Sequence, residues 1–122
     1  MNMSELVAGA IVTAPPGLKL VDVAKLMEAE GVGSVAVVDA NDDFIGIVTD
    51  RDIVNTVARA EEHATAGDIM TESPDTIEID TEISEAVAWM NATGYRHLPV
   101  TDNGKLVGMV SIKDLLWAIA SS

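Results

Sequence analysis

The sequence predicts an α+β fold (α/β-like) made of two tandem β-α-β-β-α repeats. Three observations carry that expectation. The stretch GIVTDRD, residues 46–52, returns as GMVSIKD, residues 108–114, keeping the glycine, a valine, a hydroxyl and an aspartate in place. The flanking residues repeat as well: Thr13 matches Thr76, Leu20 matches Ile83, Met27 matches Met90, Gly31 matches Gly94 and Asp39 matches Asp102, all at an offset of 63. The offset falls to 62 at Gly46 and Gly108, and the missing residue lies between two apolar runs, where a hairpin turn absorbs it. Self-similarity at one fixed period is the mark of a duplicated structural unit.

Each copy has the same layout. A short extended piece ends at Thr13 or Thr76. Apolar residues at Leu20, Val23, Ala24 and Met27, and again at Ile83, Ala86, Val87 and Met90, recur at helical spacing. Gly31 and Gly94 stand where those helices should end. SVAVVD and HLPVTD are short apolar strands, and ANDD and NGK are turns, Asn103-Gly104 being a strong signal for a two-residue hairpin. FIGIVT and KLVGMVS are the return strands. A second helix follows each, from Asp50 to Arg59 and from Lys113 to Ala120. The segment EEHATAGDIMTESPD reads as a link between the halves, and the repeats divide as residues 1–62 and 63–122. Neither half alone has enough residues for a comfortable core. The two are expected to pack through their sheets, with two related clefts lined by strand ends and helix starts.

Composition narrows the function classes. At 122 residues the chain is one ordinary domain or two very small ones. Twenty acidic residues against seven basic ones give a net charge of −13, which argues against nucleic acid as a partner. The absence of cysteine removes disulfides, thiolate metal sites and cysteine nucleophiles. No apolar run approaches the roughly 20 residues of a membrane span, and the start MNMSELVAGAIV lacks the basic opening of a secretory signal. The expectation is a soluble cytoplasmic protein.

The repeated motif admits two readings. Thr49 or Ser111 sits at a strand-to-helix junction, where its oxygen can cap the helix, and Asp52 or Asp114 follows three residues on. In the first reading this is a capping box and nothing more. In the second it is a nucleotide cradle: the carboxylate, a pure acceptor, takes ribose hydroxyls, while the hydroxyl and the exposed N–H groups of the helix start serve a phosphate. The scarce cations favour the junctions. Arg51 and Lys113 hold equivalent places inside the two motifs, and Arg96 and His97 stand at the mouth of the second repeat's first apolar strand.

These residues resemble the CBS-domain family, named for cystathionine β-synthase. The likeness spans nearly the whole chain and rests on the duplicated β-α-β-β-α unit, on GIVTDRD and GMVSIKD, on GYRHLPVTD and on the connector DIMTESPDTI. It implies a stand-alone CBS pair, or Bateman module, that binds AMP, ADP or ATP between its repeats, with S-adenosylmethionine and NAD as alternatives. By that resemblance Asp52 and Asp114 bind ribose, Thr49 and Ser111 lie by ribose or phosphate, and Thr13 and Thr76 lie by the sugar or base. Arg51, Arg96, His97 and Lys113 match positions that face phosphates. The first repeat departs from the pattern: Gly33-Ser34 replaces Arg96-His97, and Ala36 replaces Pro99, so the two clefts should be unequal.

No nucleophile–base pair and no metal constellation is visible, so neither catalytic nor metal-binding residues are assigned. The run from Asp39 to Asp50 imitates a calcium loop but has Phe44 where that loop needs glycine. Trp89 and Trp117 are expected to pack, with Trp89 and Met90 as candidates for a dimer surface. The expected protein is a homodimeric regulatory module that acts on a separate protein partner, a structural adaptor with vestigial clefts being the alternative.

Overall fold

A computed structural model describes residues 3–7 and 11–121. The chain forms two compact units, Val12–Pro74 and a second that joins the N-terminal residues to the chain from Asp75 onward.

In the first unit the elements are β1 (Thr13–Ala14), α1 (Leu20–Glu30), β2 (Ser34–Val38), β3 (Phe44–Thr49), α2 (Asp50–Ala58), α3 (Ala66–Ile69) and β4 (Thr71–Glu72). The sheet runs β1-β2-β3-β4, with β1 parallel to β2 and the other pairs antiparallel. Its core is aliphatic: Ala14, Val23, Met27, Val35, Val37, Val48 and Ala66. Helix α1 stops at Gly31, whose φ of 66° is cheap only for glycine. There Gly31 N–H donates to the Glu28 carbonyl at 3.3 Å and Val32 N–H to the Met27 carbonyl at 3.0 Å, which satisfies two end carbonyls in a Schellman turn.

The second unit holds β5 (Ile77–Glu78), α4 (Ile83–Thr93), β6 (His97–Asp102), β7 (Lys105–Ser111) and α5 (Ile112–Ala120), with sheet order β5-β6-β7. Its core gathers Met3, Ile77, Ile83, Ala86, Met90, Leu98, Val100, Val110, Leu115 and Ala118. The β6–β7 turn is the two-residue hairpin anticipated from Asn103-Gly104. Both residues have positive φ, 51° and 82°, and Asp102 faces Lys105 across the ladder. The matching turn in the first unit is longer. There Asp39 Oδ1 accepts from the Asn41 and Asp43 N–H groups at 2.9 and 3.0 Å, so the carboxylate that suggested a calcium loop is closing a hairpin.

Four sequence expectations are corrected. The extended pieces expected to end at Thr13 and Thr76 instead start there or one residue later, at Thr13 and Ile77. The segment read as a link, apart from Asp75 at its end, is part of the first unit. Ala66 N–H donates to the Leu18 carbonyl, Leu20 N–H to the Ala64 carbonyl, and Thr71–Glu72 adds a strand to β3 opposite Ile47 and Gly46. The tryptophans do not fill the core. Trp117 is 72% exposed and Trp89 43%, because α4 turns Ile83, Ala86 and Met90 inward and α5 turns Leu115 and Ala118 inward. Met90, assigned to an outer surface, is a core residue instead.

Residues 3–7 explain why the units divide the chain differently from its periodicity. Met3 lies 63 positions before Ala66 and Val7 the same distance before Met70. Ala66 seats in the first core and Met3 in the second, both fully buried. The repeated motif glycine is where each segment passes. A Cβ on Gly46 would lie 2.5 Å from Met70 Sδ and 2.9 Å from the Thr71 carbonyl, and one on Gly108 would lie 2.5 Å from Val7 Cβ. Each segment can reach its core only because the strand beneath it carries no side chain at that point.

Helix α3 starts on a carboxylate. Thr65 N–H donates to Asp68 Oδ2 at 2.9 Å, and this bond first, then the one with the Thr65 side chain, holds the Asp68 carboxyl below its ordinary value of 3.8.

Two outcomes are expected. Gly108→Ala should cost about 1–3 kcal/mol in urea unfolding, and Val7→Gly in the same chain should recover part of that loss, a non-additivity that a double-mutant cycle measures. The folded Asp68 carboxyl has the depressed pKa, so its stabilisation is present above 3.8 and lost as pH falls through the folded value. The stability gap between the wild type and Asp68→Asn should therefore be full at neutral pH and close on acidification, as read by urea midpoints across the acid range.

Candidate functional site

The junctions between each return strand and its second helix are built alike. Thr49 and Ser111 are N-caps in extended conformation, at φ −110° and −105°. In the first unit Thr49 N–H and Oγ1–H donate to Asp52 Oδ2 at 2.9 and 3.1 Å, and Asp52 N–H donates back to Thr49 Oγ1 at 3.4 Å. In the second unit Ser111 N–H donates to Asp114 Oδ2 and Asp114 N–H to Ser111 Oγ, both at 3.1 Å. These are reciprocal capping boxes, and they satisfy helix-start donors that would otherwise face water. Each uses one carboxylate oxygen. Among the described residues Oδ1 of Asp52 and of Asp114 accepts no hydrogen bond. The capping reading thus holds, and it leaves an acceptor to spare at each junction.

Strand pairing sets the neighbours. In the second unit His97 faces Ser111 across the β6–β7 ladder, and Ile112 N–H donates to the Arg96 carbonyl at 2.9 Å. That single bond brings Arg96 to the first turn of α5, beside Lys113. In the first unit Ser34 faces Thr49, and Asp50 N–H donates to the Gly33 carbonyl at 2.9 Å. The backbone arrangement is the same, but no cation stands at 33 or 34. Thr13 is on β1 level with Ala36, and Thr76 precedes β5, whose Ile77 is level with Val100. In both sheets the threonine and the cap flank the middle strand on opposite sides, so they are on the order of 10 Å apart.

The ten sequence-assigned residues therefore form two groups. Thr13, Thr49, Arg51 and Asp52 belong to the first unit, and Thr76, Arg96, His97, Ser111, Lys113 and Asp114 to the second. Asp52, Thr49, His97 and Ser111 are half-buried, and the other six are exposed. The local charges differ in sign. Helix α2 opens with Asp50, Arg51 and Asp52, and Arg51 N–H is itself bonded to Asp50 Oδ1 at 2.8 Å. Helix α5 opens with Ile112, Lys113 and Asp114, and Arg96 is held against that turn. Carboxylates outnumber cations at the first junction, and cations outnumber carboxylates at the second.

Sequence reasoning missed one pair. The Tyr95 hydroxyl donates to Asp75 Oδ2 at 2.7 Å. This hydrogen bond, with the Asp75 charge adding to it, pushes the phenol above its ordinary range. Tyr95 adjoins Arg96 in the GYRHLPVTD stretch, which was the available signal. Among the described residues no three His, Cys, Asp or Glu side chains gather as a metal site.

A CBS domain profile matches residues 3–59 and again 66–121. The chain belongs to the CBS-domain family. An uncharacterised protein of Methanopyrus kandleri is 38% identical over 120 residues; the match takes in 95% of this chain but only 61% of that relative's length. A signal-transduction protein with CBS domains from Burkholderia ambifaria, described as putative, superposes with a TM-score of 0.91 at 33% identity, over 100% of this chain and 96% of that one. A CBS domain protein from Pyrobaculum aerophilum, solved in complex with AMP, superposes with a TM-score of 0.85 at 26% identity over the full length of both. Among the described residues of this CBS pair, no helix is long and apolar enough to cross a membrane.

If the junctions are capped as described, Ser111→Ala and Asp114→Ala should each lower stability by roughly 0.5–2 kcal/mol. The double variant should lose less than the sum, because each partner orients the other. Urea unfolding of the three variants measures this.

Proposed function

We propose that this CBS pair is a regulatory module that binds an adenosine-containing ligand and does no chemistry of its own. The observation that carries the reading is the spare acceptor at each helix cap: among the described residues the cap leaves Oδ1 of Asp114 over in a helix turn that also carries Lys113 and is bonded through Ile112 N–H to the Arg96 carbonyl, and leaves Oδ1 of Asp52 over in the turn that carries Arg51. A free carboxylate oxygen suits ribose hydroxyls, and cations next to a helix start suit phosphate. AMP is the first candidate among AMP, ADP and ATP, supported by the AMP complex of the Pyrobaculum relative. The second junction, with its surplus of cations, is the better phosphate site, and the first suits a less charged ligand or none. Ligand binding selects among the module's conformations, and a separate partner protein reads the change.

A structural adaptor is the competing reading. It is favoured by the completeness of both caps with protein atoms alone, since a helix start already satisfied has less need of an anion.

A thermal-shift series with AMP, ADP, ATP, S-adenosylmethionine and NAD separates the two. A ligand held only by the native state, at a hundredfold excess over its Kd, adds about 2.7 kcal/mol and raises the midpoint by several degrees. AMP should do so, Asp114→Ala and Arg96→Ala should blunt the shift, and Asp52→Ala should affect it less. No shift with any of the five at millimolar concentration would leave the adaptor reading standing.

A further inference from the structure

The hydrogen bond between Tyr95 and Asp75 joins two places that matter to the second junction. Asp75 immediately precedes Thr76, and Tyr95 immediately precedes Arg96. The bond, 2.7 Å long and spanning twenty residues, therefore ties the approach to β5 to the approach to β6. Arg96 is held from a second direction, since its carbonyl accepts the Ile112 N–H at 2.9 Å. With both bonds made, the backbone at Thr76, at Arg96 and at the first turn of α5 is a single linked frame.

The first repeat builds the same place differently. Val12 and Val32 occupy the positions equivalent to Asp75 and Tyr95, and both pack against the first unit's core. Apolar burial does there what a hydrogen bond does in the second unit. Tyr95 is 42% exposed and Asp75 is exposed, so the bond contributes little to folding; its position gives it its consequence. The phenol is a protonated donor at neutral pH, and its bond to the Asp75 carboxylate raises its pKa above the ordinary value of 10.0.

We propose that the Tyr95–Asp75 hydrogen bond is a positioning clasp, which holds the backbone at Thr76 and Arg96 in the arrangement the ligand requires. Ordering the frame before binding removes a cost that binding would otherwise carry. The proposal rests on the ligand-binding reading above.

The test is calorimetric titration of the full chain with AMP. The set comprises the wild type, Tyr95→Phe, Asp75→Ala, the double variant, Asp75→Asn and Asp114→Ala. Tyr95→Phe and Asp75→Ala should each weaken AMP roughly three- to tenfold, the worth of one hydrogen bond. The double variant should be no weaker than either, and Asp75→Asn, whose side-chain carbonyl still accepts, should bind as the wild type does. Urea midpoints should hardly move in the Tyr95 and Asp75 variants, while Asp114→Ala carries the loss of its cap. Wild-type affinity in Tyr95→Phe and Asp75→Ala, with Asp114→Ala weakened, would overturn the clasp and leave the ligand site intact. Additive losses in the double variant, or a loss in Asp75→Asn equal to that in Asp75→Ala, would also overturn it. If the wild type binds no AMP, the clasp as proposed is overturned, and the ligand-binding reading fails with it only if ADP, ATP, S-adenosylmethionine and NAD also do not bind.

Discussion

The close passage of a short segment over the motif glycine is the constraint on which each unit depends. Gly46 lies under Met70 and Thr71, and Gly108 under Val7, at distances that leave no room for a Cβ. The passage seats Ala66 in one core and Met3 in the other. Both cores lack aromatic residues and are small, so the buried area of a single added side chain counts, at roughly 25 cal/mol per Å² of apolar surface. The glycine that admits the segment is also the residue that opens the stretch leading to the helix cap. Three residues past it, the hydroxyl of Thr49 or Ser111 turns the strand into a helix. Core closure and the proposed site thus draw on one seven-residue stretch.

The cap leaves room for a structural device and the proposed ligand site to share atoms. A carboxylate has two oxygens, and the reciprocal box engages one. Under the proposed function, removing the aspartate touches stability and binding together, so stability measurements must accompany affinity measurements on these variants. The two junctions share this chemistry and differ in what surrounds it. Asp50 and the Gly33-Ser34 pair keep the first junction acidic, while Arg96, His97 and Lys113 make the second basic within a strongly acidic protein. A net charge of −13 opposes any anionic ligand at long range. Local cations are the counterweight, and their uneven placement is the physical ground for expecting unequal sites.

Much of this architecture was legible from residues alone, because the devices involved are local. Gly31 and Gly94 end their helices with positive φ, Asn103-Gly104 makes its hairpin, and Thr49 and Ser111 cap theirs. Each depends on a few consecutive residues whose conformational preferences are strong. The α3–β4 segment was not legible: a four-residue helix and a two-residue strand are too short to show a period. Trp117 was misjudged for a related reason. Large apolar residues usually pack, and only the rotation of α5 about Leu115 and Ala118 leaves Trp117 outside.

By itself the sequence determined the duplication, the order of elements within each repeat, the capped junctions and the difference between GYRHLPV and GVGSVAV. All of these are relations between residues close in the chain or related by a constant offset. Tertiary structure alone decided three things. Residues 3–7 complete the second unit and not the repeat they precede, one oxygen of each capping carboxylate takes no hydrogen bond among the described residues, and Tyr95 reaches Asp75. Each of these depends on where distant parts of the backbone come to rest, which is set by packing volume and hydrogen-bond direction, and no periodicity or local preference records either.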